Sequence, residues 1–216
     1  MTSSQKVLQT ILYADIFSYP LTEDEVNRWL ITSEVRHISS LLLDTLVKEK
    51  RLVKKENYYL LPKKVGIVKL RKEREQSSMK KLGVALKISS FLKLIPTIKM
   101  VAVTGSLAMM NTPEEEDIDF LIVTQEKRLW LTRLLTTLLV ALTGRRRRPK
   151  ETQVKNKICL NMFLEESHLA VPGKERDLFT AHEVLQLRPL WERNHLYQKF
   201  LEENQWVKKY LANWSR

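Results

Sequence analysis

Short apolar runs in the middle of the chain constrain its fold more than any other feature of the sequence. Residues 100–104 run up to a glycine, and Ile118–Thr124 forms a second run behind an acidic segment. Apolar runs of this length, bounded by turn-forming or charged residues, are typical of buried β-strands. A helical pattern over 126–142, ending at Gly144, and a third run over 158–164 follow. The succession of strand, helix and strand predicts an α+β fold with a mixed sheet and flanking helices.

The amino-terminal segment has the periodicity of helices instead. Apolar residues over 5–17 recur every three or four positions, which predicts an amphipathic helix. Thr22 and Glu25 have the spacing of a capping box at the start of a second helix, and a third helix is expected over 33–49. Two β-prone runs within 52–61 then predict a hairpin. Three helices followed by a hairpin resemble a winged helix-turn-helix.

These patterns predict three consecutive segments. Residues 1–62 form the winged-helix-like domain, 63–96 a basic helical connector, and 97–216 the sheet-containing domain. Within the last segment, helical patterns are expected over 177–187, 190–204 and 206–213 as a carboxy-terminal layer over the sheet. We therefore expect two folded domains joined by a helix or helix pair.

Charge and cysteine content narrow the class of protein. Lys and Arg outnumber Asp and Glu by 37 to 25, a net charge of +12, which favours polyanionic partners or serves only as a solubilising surface. Cys159 is the single cysteine, which excludes an internal disulfide and fits a reducing compartment. The most apolar stretch, 129–142, is shorter than the roughly 20 residues of a membrane-spanning helix. We expect a soluble, cytoplasmic protein with no membrane partner.

Asp117 and Asp119 are the strongest candidates for chemistry. Residues two apart on a strand project from the same face, so both carboxylates point one way while Ile118 and Phe120 point the other. Two carboxylates so close together repel each other unless a cation lies between them. Mg²⁺ (or Mn²⁺) prefers oxygen ligands and shares them with substrate phosphates, so the pair predicts a metal site.

Thr104, Gly105 and Ser106, at the end of the preceding strand, have a complementary use. Glycine lets the backbone approach a phosphate closely, and the amides that follow it can point toward a bound anion. The Ser106 hydroxyl can donate a further hydrogen bond, and a short helix is expected over 107–110. The sequence therefore predicts that a nucleotide's phosphates lie over these three residues.

The two motifs together resemble the pattern of polymerase-β superfamily nucleotidyltransferases: Gly-Ser after an apolar residue, a gap of about ten, then Asp-x-Asp. The resemblance covers about 25 residues, or about 65 with the following helix and strand. It implies that Asp117 and Asp119 hold metal, that Gly105 and Ser106 hold a nucleoside triphosphate, and that a nucleoside monophosphate passes to an acceptor with release of pyrophosphate. The acceptor and the base are not identified.

The family normally adds a third carboxylate from a neighbouring strand, and this chain departs from that pattern. The polar inward position of the run over 158–164 is Asn161, which can ligate metal through oxygen but cannot act as a base. Glu165 shares that strand face four residues further on. The third role therefore falls to Asn161, to Glu165, or to no residue.

Other charged groups have two readings each. Arg145, the first of four consecutive arginines, belongs to a basic cluster that either caps a helix end or binds triphosphate or a nucleic-acid acceptor. His182 either packs within a helical layer or contacts nucleotide or acceptor. The amino-terminal domain binds either DNA, with Lys54 and Lys55 in the wing, or a protein. The alternative to the enzyme is a degenerate nucleotidyltransferase fold that acts as a nucleotide-sensing or DNA-binding regulator.

Overall fold

The chain divides into two compact units, neither of which is a continuous segment. A computed structural model describes residues 1–214. The first unit comprises 1–73, 176–182 and 206 onward, and the second comprises 74–175 and 183–205. This division differs from the predicted boundaries after 62 and 96, because one long helix takes part in both units and carboxy-terminal residues complete the first.

The first unit combines three helices with a small antiparallel sheet. Its helices are α1 (Ser3–Ile16), α2 (Glu23–Arg28) and α3 (Ser40–Lys48). Its strands are β1 (Leu21–Thr22), β2 (Val53–Lys55) and β3 (Tyr58–Leu60), with β3 in the middle. The predicted hairpin is thus present as β2 and β3, whereas β1, only two residues long, lay within a segment read as a helix start.

The start of α2 is fixed from two directions. The predicted capping box is confirmed, since the Thr22 side chain accepts from the Glu25 amide and the Glu25 carboxylate accepts from the Thr22 amide. The same carboxylate accepts hydrogen bonds from both Nη atoms of Arg71, at 2.6 and 2.8 Å. Arg71 also lies over the rings of Tyr19 and Tyr58, 4.0 and 4.8 Å from their centroids. This paired, stacked arginine is buried without an uncompensated charge.

The third helix is shorter than the sequence predicts, since it begins at Ser40 rather than near residue 33. Before Ser40, backbone N–H and C=O groups form hydrogen bonds with side chains distant in the sequence. The Asn27 amide group pairs with both backbone groups of Ile38, at 2.7 and 3.1 Å. Asn213 pairs in the same way with Arg36. Backbone groups held by distant side chains are not available for the bonds of a helix.

The segment predicted as a basic helical connector, 63–96, contains a single helix, α4 (Ile67–Leu92). Its later turns place Leu82, Ala85, Ile88 and Leu92 in the core of the second unit. Their spacing of three or four residues forms the apolar stripe that a packed helix requires.

The second unit is built on a four-stranded mixed sheet, so the α+β class is confirmed. Its strands are β4 (Ile98–Val103), β5 (Ile118–Thr124), β6 (Ile158–Glu165) and β7 (Arg188–Glu192), in the order β6-β5-β4-β7. β4 is antiparallel to both β5 and β7, and β5 is parallel to β6. The single turn α5 (Gly105–Ala108) follows β4, and α6 (Leu129–Leu142) links β5 to β6. Gly144 has φ +70° just beyond α6, as its predicted helix-ending role requires.

The carboxy-terminal region is only partly helical, which corrects the predicted layer. It contains α7 (Leu178–Gln186), β7, α8 (Leu196–Glu203) and a 3₁₀ turn over Gln205–Lys209. Residues 188–192 pair with β4, although the sequence predicts a helix from 190. A short run such as Leu190-Trp191 does not distinguish strand from helix, and pairing with β4 decides between them. Among residues 1–214, no helix has both the length and the apolar character needed to cross a membrane.

Candidate active site

Gly105 brings the Gly-Ser turn against the aspartate pair. It has φ +59°, a left-handed conformation that glycine adopts without steric cost, and it follows the buried end of β4. A methyl group at this position would stand 3.7 Å from Asp119 Oδ2. The Thr104 amide donates to the Asp119 carbonyl at 3.2 Å. The predicted phosphate-binding residues and the predicted metal ligands are therefore neighbours.

The Ser106 hydroxyl is engaged within the site. It donates to Glu116 Oε2 at 2.9 Å and lies 3.2 Å from the Thr112 hydroxyl. Because α5 is a single turn, its dipole adds little, and anion binding here would rest on Ser106 and the local amides. A phosphate would have to exchange places with the exposed Glu116 carboxylate.

Asp117 and Asp119 lie at the start of β5 with side chains on one face, as predicted. Ile118 and Phe120, on the other face, are fully buried. Burial raises the pKa of the Asp119 carboxyl, and the neighbouring Asp117 charge raises it further. The aspartate pair is thus a site of unfavourable negative charge that a cation would stabilise.

Arg147 supplies positive charge to this pair. Its Nη1 lies 2.6 Å from Asp117 Oδ2 and 3.8 Å from the Cys159 sulfur. The loop that carries it is bonded to β6, since the Arg147 amide donates to the Ile158 carbonyl at 3.0 Å. Arg145, the arginine predicted for the site, donates from its side chain to the Asn156 carbonyl at 3.5 Å and not to either aspartate. The four arginines lie in an irregular loop, so the sequence does not show which of their side chains points toward the aspartates, and Arg147 could not be identified.

Cys159 is the residue of β6 that lies opposite Asp119, and this corrects the expectation for Asn161. One ligand atom from each of Asp117, Asp119 and Cys159 lies within 4.8 Å of the others. The register shifts between Phe120 and Leu121, so Asn161 is the extra residue of a β-bulge and is exposed. A bulge breaks the alternation of faces on which the expectation depended.

Two further predicted residues lie away from the aspartate pair. Glu165 pairs with Thr124 at the far end of β6, six residues from Cys159, or about 20 Å along a strand. His182 belongs to the first unit, where its ring stacks on Tyr13 at 4.4 Å and on Trp29 at 5.1 Å. The packing interpretation of His182 therefore describes its surroundings, and neither residue joins the cluster.

Lys81 supports this site and Glu183 interacts electrostatically with Asp119, and neither was predicted. The buried Lys81 ammonium donates to the carbonyls of Glu114 and Glu116, at 2.9 and 2.6 Å, and so holds the acidic loop before β5. It sits on the apolar stripe of α4, a helical position that could have marked it as buried. Burial and the charge of Asp119 raise the pKa of Glu183 on α7. No pattern in the sequence indicates that these two distant residues interact.

The donor set fits magnesium in part. Asp117 and Asp119 offer the oxygen ligands that Mg²⁺ requires. Cys159 does not: burial and the Asp119 charge raise the pKa of its thiol to about 11, and sulfur is a poor ligand for a hard cation. The aspartates would therefore hold the ion, and the thiol would lie beside it.

Among known proteins, solved structures that are similar to this chain include two of toxin–antitoxin proteins. No family model matches the sequence, and no curated protein matches it. One similar solved structure is a crystal structure of a mutant of the toxin–antitoxin MntA–HpeT, with 12% identity over 56% of this chain and 87% of that chain and a TM-score of 0.33. Another is a toxin–antitoxin crystal structure with AMP-PNP, with 13% identity over 62% and 89% and a TM-score of 0.31. At these TM-scores the proposals below rest on this chain's own residues.

Proposed function

We propose that the chain is a nucleotidyltransferase that moves a nucleoside monophosphate from a magnesium-bound triphosphate to an acceptor. The observation that carries the proposal is the position of Gly105, whose left-handed backbone follows the end of β4 and lies against Asp119 at the start of β5. A phosphate-approaching turn and a paired-carboxylate site on adjacent strands are the two parts that this reaction needs.

The chain's own residues bind and orient the reactants. Asp117 and Asp119 hold the ion, and Ser106 donates to a phosphate oxygen once Glu116 is displaced. Magnesium, when bound, supplies positive charge that offsets the charge developing on the phosphate oxygens. The acceptor oxygen bonds to the α-phosphorus, the bond to pyrophosphate breaks, and the acceptor's proton passes to solvent. Cys159, protonated at neutral pH, does not take that proton.

Calorimetric titration of the full chain with each nucleoside triphosphate, with and without Mg²⁺, tests this function. We expect magnesium-dependent binding that is lost in Asp117→Asn/Asp119→Asn. Glu114→Gln/Glu115→Gln is a matched control, because it removes the same charge from the exposed, Lys155-paired part of the loop. Absence of binding by folded wild-type protein contradicts the proposal. If magnesium-dependent binding is found, labelled nucleotide would reveal the acceptor.

We also propose that the first unit is a winged-helix-like module. Its order of helix, strand, two helices and hairpin, with β3 between β1 and β2, supports this assignment. Lys54 and Lys55 are exposed on the hairpin and suit phosphate contact, whereas Asp44 on α3 disfavours entry into a DNA groove. A protein is therefore the alternative partner of this winged-helix-like unit.

A regulator without catalysis is the second candidate function. Arg147 already neutralises Asp117, and the third position holds a thiol instead of a carboxylate. Salt-dependent binding of duplex DNA by the full chain, together with no magnesium-dependent nucleotide binding, would favour the regulator. Nucleotide binding without any duplex binding at low salt would reject a DNA-binding regulator, and release of pyrophosphate from a bound triphosphate would reject a nucleotide-sensing one.

A further inference from the structure

Cations make up more than half of the lining of a cavity beside the aspartate pair, where Thr137, Pro149 and Leu160 also contribute. The cavity has a volume of about 290 Å³ between α6, the loop that follows it and β6. Five basic residues line it together with Cys159, which joins it to the aspartates: Arg133, Arg146, Arg147, Arg148 and Lys150. Five positive side chains around one cavity repel one another in the absence of an anion.

Four of these cations form no side-chain ion pair among the described residues, although the Arg148 backbone amide donates to Glu151 at 3.0 Å. Arg147 pairs with Asp117, but within residues 1–214 no carboxylate lies within 4.0 Å of the charged groups of Arg133, Arg146, Arg148 or Lys150. Elsewhere in this unit, lysines near acidic residues do form pairs, as Lys155 and Lys157 show. The cavity therefore has the charge of a site for phosphate groups.

An exposed tryptophan on α6, Trp130, lies next to one of the arginines that line the cavity. Trp130, Arg133 and Thr137 share one helix face, and the last two line the cavity. Trp130 is 77% exposed, which is unusual for so large an apolar side chain. The Arg133 guanidinium carbon lies 5.9 Å from the Trp130 ring centroid and 5.4 Å from that of Phe163. The tryptophan therefore stands next to the basic groups with its ring available to a ligand.

We propose that this face, which we call the Trp130 face (Trp130, Arg133, Arg146, Arg148 and Lys150), binds single-stranded nucleic acid. Cations along a backbone path, with an aromatic ring on which a base stacks, are the two elements of single-strand recognition. A small polyphosphate would use the cations but not the ring, and a duplex keeps its bases stacked inside. That this strand is the acceptor rests on the proposed transfer reaction; that it binds does not.

Fluorescence anisotropy of a labelled oligouridylate of about 12 nucleotides, within the site sizes of single-strand binders, tests the proposal. The full chain is used without Mg²⁺ or nucleoside triphosphate, so the result is independent of the calorimetric titration. Four phosphate contacts predict that log affinity falls with log salt at a slope of about −3 for a single strand. Duplex of the same length should bind more weakly.

Three variants separate the contribution of the charges from that of the ring. Arg146→Gln/Arg148→Gln should reduce the magnitude of the salt slope by about 1.4, since two phosphate contacts are lost. Trp130→Ala should weaken binding about 5- to 150-fold with an unchanged slope, because one stacked base is lost. Trp130→Phe should retain most of the affinity.

Matched controls lie on α4 in the same unit. Lys80→Gln/Lys87→Gln removes two exposed positive charges, and Phe91→Ala removes an exposed ring, 53% accessible, from another surface. Equal losses in these controls would overturn the proposal in favour of general attraction to a basic protein. So would the absence of oligonucleotide binding at about 50 mM salt. Inorganic triphosphate that displaces the strand, with Trp130→Ala still at wild-type affinity, would also overturn it, because the cavity would then hold phosphate alone.

Discussion

At the scale of single residues, His182 has an environment that couples protonation to folding. Its ring is 8% exposed and lies between Tyr13 and Trp29, neither of which carries charge at neutral pH. Its Nε2 is buried with no hydrogen-bond partner among the described residues. Burial lowers the pKa of His182 to about 4, so the folded chain holds this imidazole in its neutral form.

Stability should therefore fall with acid. An unfolded histidine takes up a proton below about pH 6.5, whereas the folded one resists protonation until about pH 4. Within that window the unfolded state binds more protons, and the free energy of unfolding decreases as the pH falls, by up to about 3 kcal/mol.

Urea unfolding measured from pH 7.5 to 4, for wild type and His182→Phe, checks this prediction. Phenylalanine keeps an aromatic ring in the stack but cannot titrate. The difference in stability between the two proteins should move in favour of the variant as the pH falls. A difference that stays constant with pH would show that His182 is not the group responsible.

At the scale of elements, α4 positions the acidic loop that precedes β5. Lys81 is 1% exposed and donates to two carbonyls of that loop, which leads directly into Asp117. Burial lowers the pKa of the Lys81 ammonium, while Glu116 and other acidic neighbours act in the opposite direction. A lysine on an apolar stripe thus holds in place a loop that has little regular structure of its own.

Lys81→Met should weaken magnesium-dependent nucleotide binding by about tenfold, the scale of lost support behind a metal ligand. Methionine keeps the volume of the stem but removes the donor, so stability should change little. Lys80→Met is the control, because Lys80 is the exposed neighbour on the same helix. The two titrations should differ; equal affinities would show that Lys81 serves packing alone.

The elements with strong local signals could be predicted from the sequence. The capping box at Thr22, the hairpin, the strand pair around Gly105 and the glycine at the end of α6 each follow from residues a few positions apart. The start of α3 and the strand β7 could not be predicted, because distant side chains or a neighbouring strand determine them.

In the candidate site, too, only the features that depend on nearby residues could be predicted from the sequence. Asp117 and Asp119 share a face because alternation on one strand is a local property. Cys159 and Arg147 required knowledge of how β6 and its preceding loop align with β5, which a bulge at Asn161 alters. Register between strands and the path of a loop depend on tertiary contacts that a single sequence does not display.

At the scale of the whole molecule, the carboxy-terminal residues complete a unit that begins at residue 1. The Thr32 amide donates to the Tyr210 carbonyl at 2.7 Å, and the Ala212 amide donates to the Thr32 carbonyl at 2.9 Å. Leu211, between them, is fully buried. The first unit is thus closed by contacts that span almost the entire sequence.

Leu211→Ala should destabilise the first unit selectively. Removing a fully buried leucine side chain costs about 2–5 kcal/mol. Hydrogen exchange should show faster exchange in α1, α2 and α3 than in β4 and β5. Leu92→Ala, an equally buried leucine in the core of the second unit, should give the reverse pattern. Uniform acceleration across both units in either variant would contradict independent cores.

Each unit consists of several separate segments of the chain, and this determines the order in which the units can fold on the ribosome. The second unit has all of its residues once position 205 has been made. The helices of the first unit emerge earliest, yet its backbone bridge at Thr32 needs Leu211. The part of the chain that is translated first is therefore the last that can close. A nascent or prematurely ended chain exposes the apolar faces of α1 and α3 to chaperones while the residues of the four-stranded sheet of the second unit are all present.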